Sequence, residues 1–267
     1  MSSELKAVFT PIKGSRTFEQ VSNRIKKLIF DGVFKPGDKL LPETELAQQF
    51  NVGRQSVREA LRILELSGFI TIQKGGGGGA VIKDTISNTI SNLFLDAFQL
   101  EKITIEELTV ARFEIEKIVL KYAIENADEA DIKRLQENIR DAQKKIEANI
   151  NVIDENIQFH NLLAKASKNH LFGIVVEAVT TAVRHFMSEL GPDSDLLENE
   201  KWYSENVINS KNTLSYHKDI LNAVIEKKLD QAVDILENHL LEVKKRLQPL
   251  AGQQRSQPSN IISHRGE

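Results

Sequence analysis

Residues 40–82 read LLPETELAQQFNVGRQSVREALRILELSGFITIQKGGGGGAVI, and the apolar pattern of this stretch decides the fold of the N-terminal part of the chain. The pattern predicts a short helix, a tight turn, a second amphipathic helix and two short β-strands joined by glycines. We expect the turn to depend on Gly53, because glycine adopts backbone conformations that are closed to bulkier residues. This order of elements predicts a winged helix-turn-helix.

The second predicted helix has one apolar face and one basic face. Its apolar residues recur at helical spacing and should pack into a core: Val57, Ala60, Leu61 and Leu64. In a helix-turn-helix, the N-terminal residues of the second helix reach base edges in the major groove. Four residues at that end are predicted to contact DNA: Arg54, Gln55, Ser56 and Arg58. Arginine bonds guanine, glutamine bonds adenine and serine suits phosphate oxygens, so the helix fits a reader of double-stranded DNA.

The glycine run between the two strands predicts the tip of a wing. Lys74, Gly75 and Gly76 lie there, where we expect contact with the minor groove or the DNA backbone. A phosphate-binding P-loop is disfavoured, because no Gly-Lys-Ser or Gly-Lys-Thr sequence follows the glycines. The alternative for the whole stretch is a helical pair with a solvated basic face. The agreement of turn, wing and charge favours the DNA reader.

The charge distribution separates the two halves of the chain. The net charge of the whole chain is −3, which alone argues against nucleic acid as a partner. Residues 1–83, however, carry 13 Lys and Arg against 8 Asp and Glu, a net charge of +5, which leaves −8 for the rest. We therefore expect only the N-terminal part to meet phosphate.

After Ile82 the apolar pattern predicts only amphipathic helices, so the whole protein is predicted to be mainly α. A long loop or a partly ordered cover is predicted between Gly191 and Asn212. The absence of a long apolar run and of a signal pattern predicts a cytoplasmic protein with no membrane contact. The predicted domains are a flexible arm at 1–16, a winged helix-turn-helix at 17–83, an all-α helical bundle at 84–248 and a disordered tail at 249–267.

Histidines of the helical part suggest a metal site, since the chain has no cysteine and hence no thiolate ligand. Asn156 and His160 lie four apart on one predicted helix, and so point the same way. His217 and His239 lie on two later helices, which an antiparallel pair would bring to the same interior. Three imidazoles with an oxygen donor suit zinc, nickel, iron or manganese. From the spacing alone, a histidine satisfied by a neighbouring polar group is the commoner arrangement.

The DNA-binding stretch resembles that of the GntR family of bacterial transcription regulators. The matching segments are GVFKPGDKL, ETELAQQFNVGRQSVREALRILELSGFI and the glycine-rich wing. The resemblance implies that Arg54, Arg58 and the wing-tip glycine near Gly75 contact operator DNA. Thr44 stands where the family often has arginine, and Pro42 lies one position later than usual. The operator could therefore differ from the common operator of the family.

The helical part resembles the C-terminal ligand domain of the FadR-like branch of that family, in the segments NIQFHNLLAKASKNHLF, SYHKDIL and ENHLLEVKKRL. Metal-binding members of the branch use an aspartate, a histidine four residues later and two distant histidines. His160, His217 and His239 match the histidines, whereas Asn156 stands in place of the aspartate. Asparagine still offers a carbonyl oxygen but lacks the charge that favours a divalent cation, so weaker or different metal binding, or none, stays open.

In the same branch, an arginine on the first long helix pairs with a carboxylate effector. The segment ELTVARFEIEKIVLKYA places Arg112 at that position, and the planar guanidinium suits bidentate capture of a carboxylate. The alternative is an ion pair between Arg112 and Glu116 on the same helix face. Asn169 and Arg184 are further candidates for the effector pocket.

The resemblance implies a homodimeric, ligand-responsive transcription regulator, more often a repressor, and no enzyme. Two DNA-reading domains on a two-fold dimer would bind a pseudo-palindromic operator, and a small carboxylate would change the affinity for it. One alternative is a metal sensor in which the cation is the signal. A metal-dependent enzyme is disfavoured, because no general base or nucleophile accompanies the histidines.

Overall fold

The computed structural model describes residues 17–73, 79–83, 87–189 and 200–254, and the chain divides into two compact units, Met1–Thr89 and Ile90–Glu267. The N-terminal elements are α1 (Thr17–Phe30), α2 (Glu43–Phe50), α3 (Arg54–Leu66), β1 (Ile70–Gln73) and β2 (Gly79–Ile82). Seven further helices follow: α4 (Ser87–Leu100), α5 (Ile105–Asn126), α6 (Glu129–Glu147), α7 (Ile153–Ala166), α8 (His170–Glu189), α9 (Glu200–Ile225) and α10 (Leu229–Gln254). In these ranges, no helix is both long and apolar enough to cross a membrane.

The first unit is a winged helix-turn-helix, as the apolar pattern predicts. Residues from all five of its elements form one core: Val21, Ile25, Leu46, Ala47, Val57, Ala60, Leu61, Leu64, Ile70, Ala80 and Ile82. Strands β1 and β2 pair antiparallel, with Ile70 opposite Ile82 and Gln73 opposite Gly79. The fully buried face of α3 leaves its opposite face exposed to solvent.

The turn of the helix-turn-helix differs from the prediction. Asn51, and not Gly53, adopts the left-handed conformation, with φ 52° and ψ 49° at the end of α2. Gly53 has an extended conformation with φ −67° and ψ 145°, which any residue can adopt. The prediction at Gly53 was wrong because asparagine also tolerates the left-handed region, since its short polar side chain bonds locally.

The second unit is an all-α bundle with two apolar clusters. The larger cluster lies between α5, α6, α7, α9 and α10 and contains Leu120, Leu135, Phe159, Ile220 and Leu236. The smaller cluster joins α4, α5, α7, α8 and α10 and contains Phe98, Ile105, Phe186 and Val243. Capping boxes begin α5 at Thr104 and α6 at Asp128. The predicted fold class, mainly α with a winged helix-turn-helix and a helical bundle, is confirmed.

Two segments predicted to be irregular are helical. Residues 200–212 belong to α9, whereas the sequence predicted a loop up to Asn212. The polar residues there do not stop a helix, and the helix breakers Gly191 and Pro192 lie before its start. Similarly, α10 extends to Gln254, so residues 249–254 of the predicted disordered tail are helical. The rest of both segments, and the predicted arm at 1–16, lie outside the described residues.

Candidate functional site

The predicted DNA-contacting residues of α3 lie at its exposed N-terminal end. Arg54 and Gln55 are exposed and Ser56 is half-buried. Arg58 places its Nη2 atom 3.1 Å from Oε2 of Glu43, with exposed fractions of 64% and 38%. Because such exposed pairs contribute little and are screened by salt, Arg58 can exchange this partner for a phosphate or a base. The wing residues predicted to touch DNA lie outside the described residues: Lys74, Gly75 and Gly76.

The three histidines predicted to be metal ligands meet inside the bundle. His160 on α7, His217 on α9 and His239 on α10 are each at most 2% exposed, and their candidate ligand nitrogens lie within 4.8 Å of one another. The ring of Phe159 stacks on that of His217, with centroids 4.1 Å apart, and so restricts its orientation. The packing of the bundle therefore brings together side chains that lie far apart in the sequence.

A buried carboxylate orients the first of these histidines. Nδ1 of His160 lies 2.5 Å from Oε2 of Glu116, whose Oε1 accepts a hydrogen bond of 2.6 Å from Nε of Arg112. If the Nδ1–H group donates a hydrogen bond to Glu116, Nε2 keeps a lone pair, and this atom lies 3.2 Å from Nε2 of His239. A carboxylate behind a histidine is the usual support of a metal-binding imidazole.

The protonation states favour metal binding. Burial lowers the pKa of His217 and of His239 well below the ordinary value, and nearby positive charges lower both further. Burial also lowers the pKa of His160, although Glu116 acts in the opposite direction. For Glu116, burial raises the pKa, but His160 and Arg112 outweigh this effect and lower it to about 2. The histidines are therefore neutral near pH 7, which is the form that binds a cation, and Glu116 is ionised.

Unpaired buried atoms at the cluster fit a divalent transition metal. Oδ1 of Asn156, Nε2 of His217 and Nδ1 of His239 have no hydrogen-bond partner among the described residues. Buried polar atoms without partners are rare in folded proteins and require an explanation. Three neutral imidazoles and an amide oxygen one helical turn before His160 are a donor set that zinc, nickel, iron and manganese accept. The residues that would hold a metal are thus His160, His217 and His239, with Asn156 as a fourth donor.

Arg112, predicted to bind the effector, is paired with another residue of the chain in this structure. It forms a buried ion pair with Glu116, and the exposed fractions of the two side chains are 4% and 2%. This is the alternative that the sequence left open. The role of Arg112 toward a carboxylate therefore stays a prediction, and it requires Arg112 to share its guanidinium between Glu116 and the ligand.

The other two predicted effector residues make contacts of their own. Asn169 accepts a hydrogen bond of 3.0 Å from the backbone of Leu171 and so caps the start of α8. Arg184 lies 2.9 Å from a carboxylate oxygen of Asp154, and the pair lines an open cavity together with His185. No described hydrogen bond joins Asn169 or Arg184 to the histidine cluster.

Two polar residues near the cluster were missed by the sequence analysis. Glu116 was considered only as a partner of Arg112 and not as the support of His160. Arg246 on α10 was not considered, although it donates a hydrogen bond of 3.0 Å from Nη1 to Oγ1 of Thr213 and is otherwise without partners among the described residues. The available signal was its spacing, since Arg246 follows His239 by seven residues on one helix face.

Comparison with known protein families matches most of the described chain. Residues 17–79 match the family described as bacterial regulatory proteins, gntR family. Residues 107–242 match the FCD domain, and the histidine cluster lies in this segment. The first match covers the winged helix-turn-helix, and the second covers most of the bundle.

Individual relatives are similar over most of their length. The chain is 29% identical over 237 residues to the HTH-type transcriptional repressor NanR of Klebsiella aerogenes, covering 87% of this chain and 86% of that protein. It is 29% identical over 218 residues to the HTH-type transcriptional regulator LutR of Bacillus subtilis, covering 81% of this chain and 94% of that protein. A solved structure of Streptococcus agalactiae GntR superposes with a TM-score of 0.64 at 20% identity, covering 85% of this chain and 99% of that one. At this identity, the last comparison shows a shared fold.

Proposed function

The chain belongs to the gntR family of bacterial regulatory proteins and carries an FCD domain, which makes it a DNA-binding transcription regulator and no enzyme, and we propose that a small carboxylate bound in its helical bundle changes its affinity for operator DNA. The relative from Klebsiella aerogenes is named a repressor, and we propose that this chain also represses transcription. Binding of the carboxylate would then release the operator.

The observation that carries the proposal is the buried polar cluster in the bundle. His160, His217 and His239 converge there, and one buried nitrogen each of His217 and His239 has no hydrogen-bond partner among the described residues. A protein interior that serves only packing does not retain such groups, because each unpaired buried polar atom costs about 1–3 kcal/mol. The cluster therefore favours a binding site over a structural core.

A divalent metal held by His160, His217 and His239 would supply positive charge to which a carboxylate oxygen can bind. Glu116 holds the ring of His160 in the orientation that presents Nε2, and Arg112 holds Glu116. The side chains around the cluster exclude water, which strengthens the attraction between charges there.

The DNA-binding side of the proposal rests on α3. Its N-terminal residues Arg54, Gln55 and Ser56 stay accessible, because the opposite face of the helix is buried in the core. We propose that two copies of the chain form a homodimer that presents two such helices to the two halves of a pseudo-palindromic operator. The Lys74, Gly75 and Gly76 segment would complete the contact as a wing.

A second candidate function is a metal sensor, in which the cation itself is the signal. One observation favours it: Arg112 forms a buried ion pair with Glu116, so the cluster can accept a cation without any carboxylate ligand. In that case the cation alone, and no organic acid, would change operator affinity.

Calorimetric and DNA-binding titrations of the full chain distinguish the two functions. The protein is loaded with Zn²⁺, Ni²⁺ or Mn²⁺ and titrated with organic acids, and its affinity for a duplex selected from a random library is measured with and without each acid. We expect at least one acid to bind and to lower duplex affinity at least about tenfold, a coupling of roughly 1.4 kcal/mol. An effect of the cation without any effect of an acid would support the sensor.

Substitution of a ligand histidine tests the site itself. His160→Ala should lower the metal content found by elemental analysis and abolish the response to acids. The exposed His170 is the matched control, and His170→Ala should change neither. Unaltered metal content in His160→Ala would show that the assigned ligand set is wrong.

A further inference from the structure

Arg246 carries a buried guanidinium that the bundle leaves largely unpaired. Its Nη1 atom donates to Oγ1 of Thr213, whereas Nε and Nη2 are shielded from solvent and have no hydrogen-bond partner among the described residues. The burial lowers the pKa of Arg246, an effect that Glu242 partly offsets, but the group stays charged because an arginine pKa lies far above neutral pH. A charged donor thus lies inside the protein with two nitrogen atoms, Nε and Nη2, whose N–H groups are unused.

The position of Arg246 relates it to the histidine cluster. On α10, Arg246 follows His239 by seven residues, or two helical turns, so both side chains lie on one face about 10 Å apart along the axis. On α9, Thr213 precedes His217 by four residues on one face. Contacts link the two helices at both levels, since Arg246 bonds Thr213 and the ring of His217 lies 4.9 Å from that of His239.

The direction of the Arg246 side chain brings its guanidinium closer to the histidine cluster. Side chains on a helix lean toward its N-terminus, so the guanidinium of Arg246 lies closer to His239 than its backbone does. The guanidinium and the histidines therefore face a common region between α9 and α10.

A purely structural role does not account for this arginine. Arg112, by contrast, meets a buried carboxylate at 2.6 Å. Arg246 has no described ion pair, and its one partner is a neutral hydroxyl. A buried charge that forms no ion pair destabilises the folded state, so a hydrophobic residue of similar size would stabilise the bundle better.

We propose that Arg246 and Thr213 form a carboxylate subsite of the effector pocket, and that the effector is an elongated acid with its carboxylate at this subsite and a second oxygen-rich group toward the histidine cluster. Nε and Nη2 of Arg246 donate to the two carboxylate oxygens, and the hydroxyl of Thr213 donates a further hydrogen bond. The distance along α10 between Arg246 and His239 favours dicarboxylates and polyhydroxy acids over acids as short as acetate. The inference rests on the proposed carboxylate-responsive function and adds the residue that recognises the acid.

The test combines ligand-free stability with acid binding in the full chain. Arg246→Leu, Arg246→Lys and Thr213→Val are compared with the wild type, and Arg140→Leu is the control because Arg140 is 59% exposed. Thermal unfolding is followed without ligand. Binding of citrate, L-malate, succinate and D-gluconate is then measured by calorimetry on protein loaded with Zn²⁺.

We expect Arg246→Leu to unfold at the same temperature as the wild type or higher, because it removes a buried charge that no described ion pair compensates. The same variant should weaken binding of the preferred acid at least about thirtyfold, as truncation of one partner in a buried charge pair does. Arg246→Lys should retain part of the affinity, because it keeps the charge but loses the bidentate geometry. Thr213→Val should cause a smaller loss, and Arg140→Leu none.

Three results would overturn the inference, and they separate it from the proposed function. A fall of more than about 4 °C in the unfolding temperature of Arg246→Leu would show a structural role. Equal acid affinity in the wild type and Arg246→Leu would refute the subsite while the carboxylate-responsive function stands. A wild type that binds none of the four acids would contradict that function and the subsite together.

Discussion

Glu116 is the residue on which the orientation of the polar cluster depends. It bonds Arg112 through one carboxylate oxygen and His160 through the other, so no acceptor atom of the carboxylate faces apolar surroundings alone. This arrangement fixes the ring of His160 without using any of the three candidate ligand nitrogens. The carboxylate thus acts on a bound metal only through the histidine.

Replacement of Glu116 tests this role at the scale of one residue. Glu116→Gln should weaken Zn²⁺ binding roughly 10- to 100-fold, because the amide supports the imidazole less strongly than the carboxylate does. Competition with a metal-binding dye measures the change. Glu114→Gln is the control, since Glu114 lies on the same helix with a side chain that is 60% exposed. Equal Zn²⁺ affinity in the two variants would show that Glu116 does not support metal binding.

The buried histidines predict how the stability of the metal-free protein depends on pH. The pKa of His217 and of His239 lies well below the ordinary 6.5, which each regains on unfolding, so the unfolded chain binds protons first as the pH falls. The contribution of these two histidines to the free energy of unfolding should therefore be complete above about pH 6.5 and decrease below it. Urea denaturation at several pH values measures the slope, which should be smaller in His239→Gln. A flat profile between about pH 6.5 and 5 would contradict the buried neutral state.

Arg54 provides a residue-scale test of DNA recognition. Its side chain is exposed at the N-terminal end of α3 and bonds no described residue, so Arg54→Ala should leave the fold intact. A lost arginine contact to guanine should weaken binding to the selected duplex by about 1–3 kcal/mol. A mobility-shift titration at fixed salt measures the effect, with Arg140→Ala as the control. Undiminished affinity would contradict the assignment of α3 as the DNA-reading helix.

At the scale of elements, two glycines near α3 are expected to respond differently to substitution. Gly68 has φ +78°, and a Cβ atom there would lie 2.2 Å from Oγ1 of Thr89. Gly53 has ordinary dihedral angles and no atom within 4 Å of such a Cβ. Gly68→Ala should therefore destabilise the protein by at least about 1–2 kcal/mol, and Gly53→Ala by much less. Urea denaturation compares the two, and equal losses would contradict the described backbone.

The elements that the sequence predicted well are those whose period is regular. Helix α3 repeats its apolar residues from Val57 to Leu64 without interruption, and the glycine-flanked strands after it have a clear turn signal. The start of α9 was missed because its first turns are rich in Asn, Ser and Glu, a composition that is also typical of loops. The left-handed residue was placed at Gly53 because glycine is the stronger statistical signal, yet local geometry uses Asn51.

The candidate site could be predicted only in part for a related reason. The histidines were identified by residue type and by family resemblance, because imidazoles are obvious ligands in a chain without cysteine. Glu116 and Arg246 have common charged side chains that are usually exposed. The burial of Glu116, and that of Nε and Nη2 of Arg246, follows only from the packing of α5 and α10. Spacing along a helix shows which residues share a face but does not show which face meets a cavity.

At the scale of the whole molecule, the proposed homodimer predicts a constraint on the operator. Two chains should bind one duplex, with half-sites on the same side of the DNA and a fixed distance apart. Insertion of about five base pairs between the half-sites rotates them by half a helical turn, and so should abolish binding by both subunits at once. Analytical ultracentrifugation measures the stoichiometry, and a mobility shift measures the effect of the insertion. Unchanged affinity after the insertion would indicate independent monomers.

The order of the two units along the chain also has a consequence for newly made protein. The winged helix-turn-helix closes its apolar core with residues up to Ile82, whereas the histidine cluster requires α10, the last described helix. Translation at about 5–20 residues per second separates the synthesis of these two points by roughly 10–30 s. During that interval each nascent chain has a complete DNA-reading unit but no effector pocket. The proposed effector control would therefore begin only after synthesis of the bundle is complete, and it would apply to finished chains alone.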